Sequence, residues 1–375
     1  MEDKKIKILH FPIRDSNGGV TRFAMNLWKH IDHDKFQFGF ATCSKSLYFE
    51  QEIIDQGCQV HYISCYAEKN AEEFCRELKE ILEQGEYDAI HIQTNWWKSF
   101  YAEQVARETG IKVIVIHAAN TFVDVNDDEE RQKEIMVHEE CKRNFEVGLA
   151  THFLACSRDA ADFLFGSQIP RNKIDIFHYA LDIGRFSYDE EKRNRMRNGL
   201  NLSGKFVIGN VGRMAYQKNH KFLIDCFYEV QKQDDRAVLL LLGDGYLKDE
   251  LHSQVDMYRI KEKVIFTGAV DDVEDYLQVM DVFAFPTRFE GLGIVLIEAQ
   301  AAGLKCITSD NIPRETRLTD NITYLELDKD KWVKEILQYS SGYQRNRTDD
   351  QIKNGGYDIA EEIKKLEKIY LSANE

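Results

Sequence analysis

Short apolar runs rich in β-branched and aromatic residues alternate with stretches whose apolar positions recur at helical spacing, through most of the chain. That alternation predicts βαβ units on parallel sheets, an α/β protein. Strands are expected at 5–11, 36–42, 60–64, 88–93, 113–117, 151–157 and 174–177, enough for one doubly wound sheet. A second series at 205–212, 237–243, 263–268, 281–286 and 305–309 predicts another sheet of the same kind. Between these later strands, helices are expected at about 218–232, 246–258, 272–280 and 294–302. The stretch 182–203 is strongly polar and carries no strand signal, which marks it as the joint between two domains. In the tail, Ile359, Ile363, Leu366 and Ile369 fall on one face of a helix, and that face must be buried. The expected organisation is therefore a first domain over 1–183, a second over 184–355, and a terminal helix within 356–375 packing back toward the first domain.

Length supports the division, since 375 residues exceed the roughly 250–300 at which a single core stops growing. A net charge of −15 argues against a nucleic-acid partner, because phosphate neutralisation needs a basic stripe. Eight cysteines without a C-x-x-C pair or paired Cys/His spacing are read as free, mostly buried thiols, and no metal site is expected. No apolar run reaches the roughly 18–20 residues of a membrane span, so a soluble cytoplasmic chain is expected. The acidic cluster at 124–130 reads as a solvated loop or a helix start.

Three loops could carry chemistry. After the first strand, Gly18 and Gly19 stand at the start of a helix with Val20, Ala24, Leu27 and Ile31 on one face. Glycines there let backbone amides approach a phosphate, but on this stretch alone a tight strand-to-helix turn needing positive φ is the favoured account. The first strand of the second series leads into GNVGRMAYQKN, which sets Arg213 and Lys218 ahead of a helix. Two cations at that position suit a pyrophosphate, with two solvated basic residues as the alternative. The third loop is RFEGLGIVLIEAQAAG, 288–303, with seven residues between Glu290 and Glu298. Gly291 and Gly293 would let the amides of Leu292, Gly293 and Ile294 face one anionic or hydroxyl-rich ligand. Glu298 falls inside an otherwise apolar helix, where a carboxylate needs donors. A ribose could supply them, and so could Arg288 or Arg314. His117 ends a strand where ligands of open α/β sheets bind, whereas His91 is read as structural. The absence of G-x-G-x-x-G, G-x-S-x-G, Walker A and H-E-x-x-H removes support for dinucleotide, serine-hydrolase, P-loop and zinc-protease readings.

Taken in order, GGV (18–20), GNVGRMAYQKN (209–219), GDG (243–245) and FEGLGIVLIEAQAAG (289–303) resemble the retaining glycosyltransferases of family 4, which have the GT-B fold of two Rossmann-like domains facing a cleft. The resemblance spans nearly the whole chain and is greatest to the branch that builds bacterial exopolysaccharides and capsules. It implies that Arg213 and Lys218 neutralise the diphosphate of a nucleotide-sugar donor and that Glu298 binds the ribose. Glu290 would contact the transferred sugar, with amides from Leu292 through Ile294 to Val295 completing the cradle. Gly19 would admit the β-phosphate, and His117 would reach the sugar from the first domain. The chain departs from the family pattern at Tyr179-Ala180-Leu181-Asp182, where relatives read Asn-Gly-Val-Asp, and at Ala118-Ala119, where a second histidine is usual.

The implied reaction is metal-independent transfer of a hexose-type sugar with retained configuration, from a UDP-sugar preferred over a GDP-sugar, with no cofactor. The acceptor would be a saccharide or lipid-linked saccharide, with association at the inner membrane face left open. A sugar-nucleotide epimerase and an inactive sugar-nucleotide-binding subunit are the alternatives.

Overall fold

A computed structural model describes residues 4–15 and 18–374 of the chain. It divides into two compact units. The first comprises residues 1–179 and 359–375, and the second residues 180–358.

The first unit holds seven strands: β1 (Ile6–Phe11), β2 (Phe36–Thr42), β3 (Gln59–Tyr62), β4 (Ala89–Thr94), β5 (Val113–Ala118), β6 (His152–Ala155) and β7 (Ile174–Ile176). Every pairing is parallel, in the order β3-β2-β1-β4-β5-β6-β7. The order reverses between β1 and β4, the switch point at which open α/β sheets leave a crevice beyond their strand ends. Side chains alternate across this sheet. Leu9, Phe11, Ile90, Ile92 and Ile114 enter one apolar cluster with Phe74, Leu78 and Val105. His10, His91, Gln93 and His117 take the opposite parity, and His10 pairs in register with His91 and Gln93 with His117. That second face is closed in part by the C-terminal helix, Ile359–Leu371.

The terminal helix belongs to the first unit through specific contacts. Its Glu362 accepts from the backbone N–H of His178 at 2.9 Å, and Glu367 from that of Asp32 at 3.0 Å. Its buried face is Ile359, Glu362, Ile363, Leu366 and Tyr370. Ile369, expected on that face, is only half-buried, because the hydroxyl of Tyr370 finds partners inside and carries its ring in with it.

The second unit holds β8 (Phe206–Val211), β9 (Ala237–Leu242), β10 (Val264–Gly268), β11 (Val282–Phe285), β12 (Lys305–Ser309) and β13 (Ile322–Leu325). All are parallel, ordered β10-β9-β8-β11-β12-β13, with the switch between β8 and β11. β13, four residues at the sheet edge, went unpredicted because its sequence ITYL has a single fully buried position. The stretch 182–203 has no strand, as expected, but it is not merely a joint. It contains the helix Glu190–Gly199, whose Arg193 and Arg197 both reach Asp281 and neighbouring carbonyls. The acidic cluster is a helix start: Asp127 caps the helix Asp128–Asn144 through the N–H of Glu130. All eight cysteines are free. Among the described residues, no helix is long and apolar enough to cross a membrane.

Candidate functional site

In the second unit, the loops after β8 and β11 meet at the switch point because these two strands are neighbours in the sheet. Thr287 donates its hydroxyl to the carbonyl of Gln217 at 3.0 Å, and the N–H of Arg288 donates to the same oxygen at 2.8 Å. Gln217 returns a bond from its amide to the carbonyl of Phe289 at 3.0 Å. The two loops are thereby fastened at the backbone, and their charged side chains converge. Lys218 Nζ lies 2.6 Å from Glu290 Oε1, which also stands 2.8 Å from the Thr287 hydroxyl, whose one proton it shares with the Gln217 carbonyl. The ammonium stands 4.9 Å from the centre of the Phe285 ring, a further favourable contact for a cation. Thr287 and Gln217 carried no signal in the sequence, since a neutral side chain in a loop announces nothing about its partner.

Beyond Glu290 the chain turns through Gly291 and Leu292 to Gly293, whose φ of 85° lies in the left-handed region and caps the helix Ile294–Ala301. A side chain there would be strained, which accounts for glycine. Leu292 and Val295 are buried, and Ile294 is half-buried. Glu298 is 3% exposed inside this helix. The two arginines weighed as its partners are engaged elsewhere. Arg288 donates to Asn219 at 3.0 Å and stacks on Tyr216, and Arg314 lies 4.0 Å over Tyr324. Arg185, which bonds Glu274, is a cation in the electrostatic field of Glu298.

Arg213 is exposed on the loop after β8. That loop is pressed against the GDG turn: the N–H of Met214 donates to the carbonyl of Asp244 at 2.9 Å, and the N–H of Leu247 to the carbonyl of Met214 at 3.0 Å. A Cβ on Gly243 would come within 2.2 Å of the Gly212 carbonyl oxygen, and one on Gly245 within 2.5 Å of that of Met214. The GDG turn thus serves as the backing of the Arg213 loop.

In the first unit, Gly18 has φ −68° and ψ 158° at the N-cap, and Gly19 opens the helix Gly19–His30. Neither needs positive φ, so the tight-turn account of these glycines does not hold. Among the described residues, a Cβ at Gly19 would meet nothing within 4 Å. Ser16 and Asn17, in the same loop, lie outside the described residues.

A cavity of about 190 Å³ lies beyond the β1 and β4 ends, lined by Phe11, Arg14, Tyr66, Trp96, Trp97 and Glu103 among others. Burial pushes the Glu103 carboxyl up to about 7. Sequence reading missed it: a glutamate in the first turn of Tyr101–Glu108 looks like a helix-dipole partner.

His117 is fully buried, with its ring 5.0 Å from Phe23 and 5.3 Å from Tyr179, and its Nδ1 3.1 Å from His91 Nε2. Burial holds it well below 6.5, with repulsion from His91 adding to the effect. Among the described residues no group of three or more His, Cys, Asp or Glu side chains could hold a metal ion.

Two family models match in tandem, a glycosyl transferase 4-like domain over residues 18–180 and glycosyl transferases group 1 over 205–341. The putative glycosyltransferase EpsF of Bacillus subtilis is 29% identical over 99% of this chain and 97% of its own length. An Escherichia coli UDP-Gal:alpha-D-GlcNAc-diphosphoundecaprenol alpha-1,3-galactosyltransferase is 21% identical, covering 98% and 97%. The structure of Anabaena HepE in complex with UDP-glucose superposes with a TM-score of 0.73 at 16% identity, covering 97% of this chain and 98% of that one. The chain is a glycosyltransferase with the GT-B fold.

Proposed function

We propose that the protein transfers a hexose-type sugar from a UDP-sugar to a saccharide or lipid-linked saccharide acceptor, with retention of configuration and without a metal, in exopolysaccharide or capsule synthesis. The observation that carries the reading is the junction of the loops after β8 and β11, where Lys218, Glu290 and the Gly293 helix start converge. Relatives support the finer terms: EpsF is a putative glycosyltransferase, the E. coli relative is named for UDP-Gal and a diphosphoundecaprenol-linked acceptor, and HepE binds UDP-glucose.

In this reading Lys218 and Arg213 stabilise the diphosphate as negative charge builds on the leaving oxygen, aided by amides from Leu292 to Val295. Those cations take the part a divalent ion would otherwise play. Gly18 and Gly19 open a second helix start to the β-phosphate. Glu290 holds a hydroxyl of the transferred sugar, Glu298 the ribose diol, and His117 a further sugar hydroxyl. The acceptor occupies the cavity of the first unit, whose lining includes Trp96, Tyr66 and the buried Glu103. It attacks on the face from which the diphosphate leaves, and the departing oxygen takes its proton, so no protein nucleophile is required.

The test is incubation of the full chain with UDP- and GDP-sugars and undecaprenyl-diphosphate-linked monosaccharides in EDTA, followed by mass and anomer analysis of products. The expected result is an α-linked product from a UDP-sugar. Conversion of the donor to its epimer without an acceptor would replace this reading, as would binding of the donor with no transfer or hydrolysis at all.

A further inference from the structure

The cavity of about 190 Å³ in the first unit has a wall of two kinds. Arg14, Glu68 and Lys98 are exposed, whereas Phe11, Phe74 and Glu103 are buried. Glu103 is 3% exposed and belongs to the helix Tyr101–Glu108, whose Ala102, Val105 and Ala106 enter the apolar cluster with Leu78 and Ile114. Among the described residues, the donor that reaches its carboxyl is its own backbone N–H, and no cation acts on it. The two cations of the wall have other partners. Lys98 stands 3.4 Å from Glu134 and 5.4 Å from the centre of the Trp96 ring, and Arg14 lies against Tyr66. Gln93, also buried in the wall, accepts from the Tyr179 hydroxyl at 3.0 Å and lies 3.3 Å from His91. From the facing helix Asp128–Asn144, the titratable neighbour of Glu103 is the Cys141 thiol, itself held neutral because burial pushes it up. Glu103 is thus a buried acid on a cavity wall with most of its hydrogen-bonding capacity unspent.

What fits such a wall follows from the form the acid takes. A carboxylate without a cation is costly in a buried place, and burial accordingly pushes Glu103 up to about 7. A ligand that fills the cavity removes more water and favours the acid form further. The acid has an O–H to give and needs an acceptor for it. A free amino group supplies none once it is protonated, and it would share the cavity with Arg14 and Lys98. A hydroxyl can accept the proton but leaves the apolar side chains of Phe11 and Phe74 without an apolar partner. An acetamido group meets both needs, with a carbonyl for the O–H and a methyl to bury against the rings.

We propose that the cavity of the first unit holds an N-acetylated sugar of the acceptor, with the Glu103 carboxyl donating its O–H to the acetamido carbonyl and the methyl seated on the apolar wall. The inference rests on the sugar-transfer reading above for calling this ligand the acceptor, but not for the site or its preference. Glu103 is then a specificity-determining residue: it separates an N-acetylated sugar from the plain sugar and from the free amine, and it takes no part in the transfer itself.

The experiment is titration of the full chain with the methyl glycosides of N-acetylglucosamine and N-acetylgalactosamine, each beside its hydroxyl and free-amine counterparts. Tryptophan fluorescence reports binding, since Trp96 and Trp97 line the cavity. At about pH 6 an acetamido glycoside should bind about tenfold tighter than its counterparts, the scale of one hydrogen bond with a buried methyl. As pH rises past about 7 the O–H is lost, so the preference should fade by about pH 8.5. Glu103→Gln carries a neutral donor at every pH and should keep the preference without its pH dependence, while Glu103→Leu should lose it. A preference that is constant or grows with pH in the wild-type chain overturns the proposal, even where both variants fail to fold. So does a folded Glu103→Leu chain that keeps the preference. In transfer assays with lipid-diphosphate-linked acceptors, the preference should appear in the acceptor KM and leave kcat alike. Equal KM for N-acetylated and plain acceptors would overturn the inference and leave the transfer reading standing. Binding of the acetamido glycosides as expected, with no transfer from any sugar nucleotide, would sink the transfer reading and leave the site.

Discussion

Lys218 Nζ and Glu290 Oε1 are 2.6 Å apart, with side chains only 15% and 7% exposed. The residue assigned to the diphosphate and the one assigned to the sugar are therefore each other's counter-ion. Removing one partner leaves the other charge buried, at a cost of about 3–5 kcal/mol in pairs of this kind. Lys218→Ala and Glu290→Ala should each abolish transfer and lower the unfolding temperature. Lys218→Met combined with Glu290→Gln should regain part of the lost stability and none of the activity. A double-mutant cycle by thermal unfolding, beside product assays, checks both halves.

Glu298 sits 3% exposed in the Ile294–Ala301 helix. If the ribose diol is its ligand, Glu298→Gln should weaken UDP binding by about tenfold, near 1.4 kcal/mol. Binding of inorganic pyrophosphate should stay as in the wild type, and 2′,3′-dideoxy-UDP should lose its disadvantage against UDP. Calorimetric titration of the three ligands decides. An equal loss for pyrophosphate would instead make Glu298 a support for the helix start.

The backing of the Arg213 loop can be tested without touching a charge. Gly245→Ala would drive a Cβ to 2.5 Å from the Met214 carbonyl oxygen, a backbone atom that can move only with its loop. The expected outcome is a destabilisation of about 1–3 kcal/mol, the range for overpacking, with weaker UDP binding. Gly19→Ala meets open space and should leave stability near wild type while weakening binding of the UDP-sugar. Chemical denaturation together with donor titration measures both.

The buried histidines predict the pH dependence of stability. Burial holds His91 and His220 at about 3, and His10 and His117 well below 6.5. Between those values and about 6.5 the unfolded chain binds protons that the folded chain does not. The rings' contribution to stability is thus complete above about 6.5 and is lost as pH falls below it, each ring adding up to ~1.4 kcal/mol per pH unit, while the raised carboxyl of Glu103 works in the opposite direction. Unfolding free energies between pH 7 and 5 should show this slope. His10→Phe, which keeps the packing against Phe38, should make the slope shallower by one ring.

How much of this was legible follows from how each feature is encoded. Strand positions were readable because a parallel strand covered on both faces must be apolar throughout, as AVLLLL in β9 and VIVIHA in β5 are. Four-residue β13 at a sheet edge lacked that signal. Gly291, Gly293, Arg213 and Lys218 were visible because glycines and cations ahead of a helix are uncommon enough to need a reason. Glu103 was hidden, since its carboxyl is unusual only in being buried within a cavity wall, and burial depends on what packs around it.

By itself the sequence determined the two parallel sheets, their spacing along the chain and the loops that end at their switch points, because periodicity and backbone chemistry are local properties. Tertiary structure alone decided the partnerships. It set Lys218 on Glu290 across 72 residues and Tyr370 on His91 across 279. It also put three histidines in register on one sheet face, where the proton on each ring depends on its neighbour. Such pairings are fixed by strand order and helix docking. A carboxylate or an imidazole reads the same in the sequence whether it faces water, a cation or another ring, and only the fold supplies the partner that sets its charge and its proton.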